Sequence, residues 1–365
     1  MLTSEFDYNL PKKFIAQTPL DKRDESKLMV IDRNKKQVTH KQFFDIVDYL
    51  RPGDVLVWNT SKVFKARLFG ETEVNTNCVH LKKGVGDDTE VINIKKPVEI
   101  FLIRPMENDG VWKVLAKPGK RLRLGMKVVF APDFICEVLA KEDDGTVLVQ
   151  FADDDFIVRA KANKYGSVPI PPYIQGEPDQ ESLTKKYQTV YAKDEGSVAA
   201  PTAGFHFTEK LIEKIKAQGV EFAEVTLHVG LGTFQPVKEN KTEDHKMHSE
   251  WVELTANNCQ LIEQAKKEGR RIIAVGTTTT RTLEGIYQKF NGLNPYAGDI
   301  NIFITPPYKF KVIDGLITNL HLPKSTLLML VSAFVEDKDF LMSCYEEAKK
   351  EDYRFFSFGD AMILV

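Results

Sequence analysis

The stretch RIIAVGTTTTRTLEG, residues 271–285, decides the fold class of this chain. Its first five side chains after Arg271 are apolar or small, which is typical of a strand buried on both faces. The run breaks at Gly276 into four threonines, and helical spacing follows. We predict a strand at 271–276 and a helix at 280–290, the repeating unit of a sheet layered with helices.

The same alternation of helices and strands continues on both sides of this stretch. Residues 27–60 predict a strand, an amphipathic helix (41–50) and a second strand, and RPGD at 51–54 supplies helix stop signals. Further helices are predicted at 208–218, 256–268 and 325–335, and further strands at 220–229, 250–254, 300–304 and 313–318.

Between residues 66 and 151 the pattern changes to short strands separated by polar turns, such as VEIFLI, VWKVLA and TVLVQF. This pattern of short strands and polar turns is typical of a small antiparallel barrel. We therefore predict an α/β (α+β) main domain, residues 1–67 plus 156–365, with an inserted antiparallel β-barrel module, residues 68–155. The polar stretch 74–97 is expected to form a long hairpin inside that module.

Composition places the chain among ordinary globular proteins. It has 365 residues, 42% hydrophobic and 28% charged, with a formal charge of −2, which excludes a globally basic nucleic-acid binder. Four widely spaced cysteines fit a reducing compartment. The N-terminus lacks the pattern of a signal peptide, and the apolar run at 325–335 is shorter than the ~20 residues of a membrane span. We expect a cytoplasmic protein without membrane contact.

A short segment with polar side chains follows each of three predicted strands. The first carries His228, the second is the threonine stretch, and the third, within GLITNLHLPKSTLLML (315–330), carries His321 and Lys324. Open α/β sheets bind ligands in the crevice outside the carboxyl ends of their strands. The coincidence predicts an active site at that edge.

Two of the surrounding segments suit an anionic ligand. Gly276, Thr277, Thr278 and Thr279 precede a predicted helix, where amides and hydroxyls bind carboxylate or phosphate, although threonine also serves as a simple helix cap. In SVAAPTAGFHFTEKL (197–211), small residues surround His206. Thr202, Gly204 and Phe205 would let a ligand approach the backbone; the alternative is a tightly packed turn.

Two other motifs suggest different chemistry. The GLG that follows His228 is not a dinucleotide-binding loop, because Gln235 and Pro236 come too soon for a helix to begin. The segment EDHKMHSEW (243–251) offers four groups that could bind a metal, but the spacing fits no zinc motif, and we expect a polar loop and no metal. These four groups are Asp244, His245, His248 and Glu250.

Basic residues cluster in LAKPGKRLRLGMK (115–127) and LTKKYQTVYAK (183–193). Such runs are usually solvated faces, but a split basic surface on a near-neutral protein also suits a phosphate backbone. The candidate contacts are Lys120, Arg121, Arg123, Lys185 and Lys186.

Several blocks resemble one known family. LRPGDVLVWNTSKVFKARL, GSVAAPTAGFHFT, VTLHVGLGTFQPV, HKMHSEW and VIDGLITNLHLPKSTLLMLVSAF are similar to the S-adenosylmethionine:tRNA ribosyltransferase-isomerases of queuosine synthesis. The resemblance runs from about residue 8 to 364. It implies transfer and isomerisation of the ribosyl moiety of S-adenosylmethionine onto the 7-aminomethyl-7-deazaguanine base at the tRNA wobble position. Epoxyqueuosine-tRNA, adenine and methionine would be the products.

The resemblance also gives the candidate residues their expected roles. A base must remove a proton next to the sulfonium, and histidine is the natural type; His206, His228 and His321 stay open. The sulfonium suits aromatic faces such as Phe205, Phe207 or Phe234. S-adenosylmethionine is expected as co-substrate of a monomer, with no further cofactor. Its expected contacts are Thr202, Gly204, Phe205, Gly276, Thr277, Thr278, Thr279 and Lys324.

Two rival classes stay open from the sequence. One is a metal-dependent hydrolase built on His245, His248 and Glu250, which a chelator would inactivate. The other is a non-catalytic tRNA-binding module, for which the barrel and the basic runs would suffice. It predicts tRNA binding without release of adenine.

Overall fold

A computed structural model describes residues 1–74, 94–169, 173–174, 184–230, 237, 239–245, 247 and 249–365. The chain divides into two compact units, Met1–Val63 with Ile170–Val365, and Phe64–Pro169. The predicted boundaries at 67/68 and 155/156 therefore lie four residues late and fourteen residues early, because the helix at Asp155–Tyr165 belongs to the second unit.

The first unit is built on a mixed sheet. Its strands among the described residues are β1 (Lys27–Asp32), β2 (Gln37–Gln42), β3 (Val55–Asn59), β4 (Ser61–Val63), β11 (Asp194–Ser197), β12 (Glu221–Leu227), β13 (Glu250–Leu254), β14 (Ile272–Val275), β15 (Tyr296–Ile300), β16 (Gly315–Asn319) and β17 (Ala361–Leu364). Nine of them form one sheet in the order β15-β13-β12-β3-β14-β16-β17-β1-β2, and β4 pairs with β11 separately.

Helices complete this unit. Those described are α2 (Glu209–Ala217), α3 (Ala256–Lys267), α4 (Thr277–Phe290), α5 (Thr326–Val335) and α6 (Lys338–Lys350). Within the described residues, no helix is both long and apolar enough to cross a membrane.

The strands at the centre of the sheet run parallel. Strands β12, β3, β14 and β16 pair in parallel, whereas β17 pairs antiparallel to β16 and β1 is parallel to β17. The carboxyl ends of the four central strands therefore meet at one edge, which we call the carboxyl edge. The first residues of β1 and β17 lie at the same edge.

Both faces of the sheet are covered, which explains the continuous apolar runs. In β3, Val55 and Val57 belong to one core cluster, and Leu56 and Trp58 belong to the other. Full burial of such side chains contributes roughly 1.5–3 kcal/mol each. The layered α/β architecture predicted from residues 271–285 is confirmed.

Several elements differ from the sequence predictions. Helix α4 begins at Thr277, not at 280, because Gly276 takes a φ of +89° and the threonines themselves form the first turn. Residues Phe43–Tyr49 form a 3-10 helix after the strand β2. The strand expected at 300–304 lies at Tyr296–Ile300 instead. Helix α6 and strand β17 have no counterpart in the predictions.

The second unit is the predicted barrel. Its strands are β5 (Arg67–Val74), β6 (Ile94–Pro105), β7 (Val111–Lys117), β8 (Lys127–Ala131), β9 (Phe134–Lys141) and β10 (Val147–Phe151), and helix α1 (Asp155–Tyr165) follows. They close in the order β10-β7-β6-β5-β8-β9. Alternate residues of β9, from Phe134 to Val138, point into the barrel core. Of the polar stretch 74–97, residues 75–93 lie outside the described residues.

Candidate active site

A crevice lies at the carboxyl edge of the sheet. Its walls come from the loops that follow β12, β14 and β16, from the small-residue segment before α2, and from the segment before β17. We call it the crevice throughout. It is lined by Ala199, Ala200, Pro201, Thr202, Ala203, Val229, Gly276, Thr277, Thr278, Thr318, Asn319, His321, Leu327, Phe356 and Ser357.

The threonines at the start of α4 are not equivalent. The Thr279 hydroxyl donates to the carbonyl of Val275 at 2.7 Å, and the Thr280 hydroxyl to that of Gly276 at 3.2 Å. Thr278 lines the crevice, and its hydroxyl is buried and has no hydrogen-bond partner among the described residues. Thr277 also lines the crevice. Thr279 is fully buried and is not among the crevice residues, so its expected contact with substrate has no support in this geometry.

His206 is the centre of a buried hydrogen-bond chain. Its Nδ1 lies 2.7 Å from Ser26 Oγ, and its Nε2 accepts from Asn319 Nδ2 at 3.1 Å, so the ring proton is on Nδ1. Thr202 donates to the Asn319 carbonyl oxygen at 3.2 Å and fixes the amide. Burial, followed by the nearby charges of Arg354 and Arg23, lowers the pKa of His206 to about 3. The ring is therefore neutral at pH 7.

His321 lines the crevice directly. Its Nε2 lies 3.0 Å from Thr318 Oγ1, and its backbone N–H donates to the Tyr345 hydroxyl at 3.1 Å. Burial lowers the pKa of His321 to about 3 as well. A general base works best with a pKa near the working pH, so desolvation makes both rings poorly suited to that role.

His228 stands apart from the other two histidines. It does not line the crevice, but it immediately precedes Val229, which does. Its half-buried ring stacks on Trp251 at 5.0 Å between centroids and 15° between planes, and its Nδ1 lies 3.0 Å from Ser61 Oγ. A Cβ on Gly196 would come within 2.6 Å of this ring, so glycine is required there.

Three other expected substrate contacts lie elsewhere. Gly204 is not among the crevice residues, and a Cβ there would lie 2.0 Å from the Tyr191 hydroxyl, so this glycine allows close packing. Phe205 lines a second cavity, described below. Lys324 forms an ion pair with Asp7 at 2.7 Å and is not among the crevice residues. Of the other aromatic candidates, Phe207 is fully buried in the core, and Phe234 lies outside the described residues.

The expected tRNA-binding residues are exposed. Lys120 and Arg121 end the 3-10 helix Gly119–Arg121 of the barrel unit, with Arg123 two residues later. Lys185 and Lys186 are exposed on the first unit, and Lys186 lines the second cavity. Their binding of tRNA stays a prediction.

The segment 243–251 does not assemble a metal site from its described residues. Glu250 forms a buried ion pair with Arg281, and His245 Nδ1 lies 3.0 Å from Glu239 Oε2. Across the described ranges no group of three or more potential ligands could hold a metal ion. His248 lies outside those ranges, so the absence of a metal stays a prediction.

Sequence reasoning missed several residues of the site. Ser26 precedes β1 and reaches His206 only through the fold, 180 positions away. Phe356 and Ser357 precede β17, a strand that was not predicted. Phe356 has a φ of +73°, an uncommon conformation for a non-glycine residue. This feature could mark the site, but it is visible only in the three-dimensional structure.

A crevice with a helix N-terminus and convergent polar groups, at the carboxyl ends of parallel strands, is the typical small-molecule site of an α/β enzyme. The family model described as "Queuosine biosynthesis protein" matches residues 3–364. The chain belongs to this family, as the sequence blocks predicted, and it is an enzyme of the ribosyltransferase-isomerase class.

Individual relatives agree over the full length. A protein of Thermotoga petrophila named S-adenosylmethionine:tRNA ribosyltransferase-isomerase is 47% identical over 366 residues, covering 100% of both chains. A protein of the same name from Staphylococcus haemolyticus is 46% identical with the same coverage. The crystal structure of S-adenosylmethionine tRNA ribosyltransferase from Thermotoga maritima is 37% identical, covers 99% of this chain and 100% of its own, and has a TM-score of 0.55.

Proposed function

We propose that this enzyme transfers and isomerises the ribosyl moiety of S-adenosylmethionine onto the 7-aminomethyl-7-deazaguanine base at the tRNA wobble position. The products are epoxyqueuosine-tRNA, adenine and methionine. The observation that carries the proposal is Thr278 at the start of α4, a crevice residue whose buried hydroxyl has no hydrogen-bond partner among the described residues, in a chain of this family. S-adenosylmethionine is a co-substrate, no metal takes part, and the enzyme acts as a cytoplasmic monomer.

The start of α4 binds the methionine carboxylate in this proposal. The first amides of a helix have no acceptor within the helix, and the helix dipole favours an anion there. Thr277 and Thr278 line the crevice at this point, and the positive φ of Gly276 turns the chain directly into the helix. The Thr278 hydroxyl, which has no partner among the residues that the structure describes, gains a hydrogen bond to the carboxylate in the complex.

The histidines divide into two roles. His206 and His321 are neutral and weak proton acceptors because burial lowers the pKa of each to about 3, so we assign them to holding the crevice in shape. A base works best when its pKa lies near the working pH. We assign the removal of the proton next to the sulfonium to His228, because it directly precedes the crevice residue Val229 and its ring is only half buried, whereas the other two rings are buried.

The proposal is tested with the purified enzyme, S-adenosylmethionine and tRNA that carries the aminomethyl base. Chromatography should detect free adenine only when both substrates are present. The variant His228→Gln should release adenine far more slowly while it still binds tRNA, and Lys267→Gln, a change on the surface of α3, should match the wild type. Binding of tRNA without adenine release by the wild-type enzyme would support the non-catalytic module, and a loss of adenine release on chelation would support the metal-dependent class.

A further inference from the structure

A second cavity adjoins the crevice in the first unit. We call it the basic pocket, and its defining residues are Arg23, Lys186, Phe205, His206, Arg354 and Phe358. Ser357 lines both cavities. His206 lines the basic pocket, while its Nε2 accepts a hydrogen bond from Asn319, a residue of the crevice. The two cavities therefore share a wall made by Ser357 and the His206–Asn319 pair.

The charges of the basic pocket are incompletely neutralised. The Arg23 guanidinium donates to the neutral carbonyls of Gln188 at 2.6 Å and Lys186 at 3.2 Å. The Lys186 ammonium is 3.8 Å from Asp21, a carboxylate whose side chain is 99% exposed. Arg354 pairs with Asp360 at 2.9 Å. Three cations thus face the pocket against one close carboxylate, and the described lining residues include neither aspartate nor glutamate.

Aromatic rings form another wall of the basic pocket. Phe205 and Phe358 stack at 6.0 Å between centroids, with 22° between their planes. The Arg23 guanidinium lies 5.7 Å from the centre of the Phe205 ring. Cations beside flat apolar surfaces are the combination with which proteins bind the backbone and the bases of single-stranded nucleic acid.

We infer that the basic pocket binds a phosphodiester of the RNA substrate next to the nucleotide that is modified, so that the target base reaches the crevice across the shared wall. The inference rests on the proposed function and names the part of the enzyme that receives the RNA. The positive charges of Arg354 and Arg23 act on the His206 ring, because both lower its pKa, although burial is the larger cause. A phosphate bound in the basic pocket would be attracted by the same two positive charges.

Lys186→Gln tests the inference, because this side chain is about half exposed and its loss removes no close ion pair. Lys267→Gln is the matched control, since Lys267 ends α3 at the edge of the sheet opposite the carboxyl edge and the change in net charge is the same. Affinity for a fluorescent anticodon stem-loop RNA is measured by anisotropy over a range of salt concentrations. Affinity for S-adenosylmethionine is measured by calorimetry on the same full-length proteins.

We expect Lys186→Gln to weaken RNA binding about tenfold, the size of one charge-assisted hydrogen bond. The slope of log affinity against log salt should fall by about 0.7–0.9, and S-adenosylmethionine binding should not change. Equal RNA affinities for the two variants would overturn the inference and leave the proposed function standing. A Lys186→Gln variant that lost affinity for S-adenosylmethionine but not for RNA would also overturn the inference. A wild-type enzyme that binds no RNA would overturn both.

Discussion

The Thr278 hydroxyl provides the sharpest prediction, because its contributions to stability and to function have opposite signs. In the free protein it is buried without a partner among the described residues. An unsatisfied buried hydroxyl costs about 1–3 kcal/mol, so Thr278→Val, which keeps the shape, should stabilise the protein by about 1 kcal/mol. In a chain of this length that corresponds to a rise in melting temperature of about 2 °C.

The same substitution should weaken use of S-adenosylmethionine. A hydrogen bond to a charged group contributes about 1.5–3 kcal/mol, which corresponds to a rise in KM of about 10- to 150-fold. Scanning calorimetry and steady-state adenine release measure the two effects on the same preparation.

Thr279→Val is the matched control. Its hydroxyl donates to the Val275 carbonyl and does not line the crevice, so its loss should lower stability by about 1 kcal/mol and leave KM unchanged. The reasoning would be refuted if Thr278→Val destabilised the protein with an unchanged KM, or if the two variants behaved alike.

Other substitutions test the buried polar groups of the first unit. Glu284 is fully buried and accepts from three backbone amides and the Tyr308 hydroxyl, so Glu284→Gln should lower the free energy of unfolding in urea by about 1.5–3 kcal/mol; a neutral effect would contradict this network. Glu250→Gln leaves Arg281 buried and unpaired and should cost about 3–5 kcal/mol in the same assay, and a change below 1 kcal/mol would rule out a desolvated pair. His321 binds fewer protons when folded than when unfolded, so stability should fall as pH drops below its ordinary pKa of about 6.5. Between pH 7 and 5 His321 accounts for a loss of about 2 kcal/mol, which His321→Gln should remove, while the similar contribution of His206 remains; an identical pH dependence in the variant would contradict a neutral buried His321 ring.

Hydrophobic patterning predicted the elements that carry a continuous apolar run or a regular apolar stripe. The run 272–275 is buried on every residue, and the apolar stripe of α2 recurs at three- and four-residue spacing in Leu211, Ile212 and Ile215. Helix α6 carried the same signal in Leu341, Cys344, Tyr345 and Ala348 and could have been predicted. Helix α1 buries only Val158 and Ala162, which is too weak a pattern to identify it.

The sequence predicted at which edge of the sheet the candidate site lies. It did not predict which side-chain atoms face one another there. The rule that ligands bind at the carboxyl ends of parallel strands led to Thr278 and His321. It could not separate Thr278 from Thr279, because that difference depends on which hydroxyl turns back to the helix. Nor could it pair Ser26 with His206, since this contact exists only after β1 has joined the sheet beside β17.

The fate of the ribose tests the central claim most directly. The enzyme is incubated with the aminomethyl-base tRNA and S-adenosylmethionine labelled with 13C in the ribose alone, and the nucleosides of the digested tRNA are analysed by mass spectrometry. The account predicts that the label enters the modified wobble nucleoside, while the released adenine and methionine stay unlabelled, and that His228→Gln slows both events together. Labelled ribose recovered free in solution, with an unlabelled tRNA nucleoside, would contradict it.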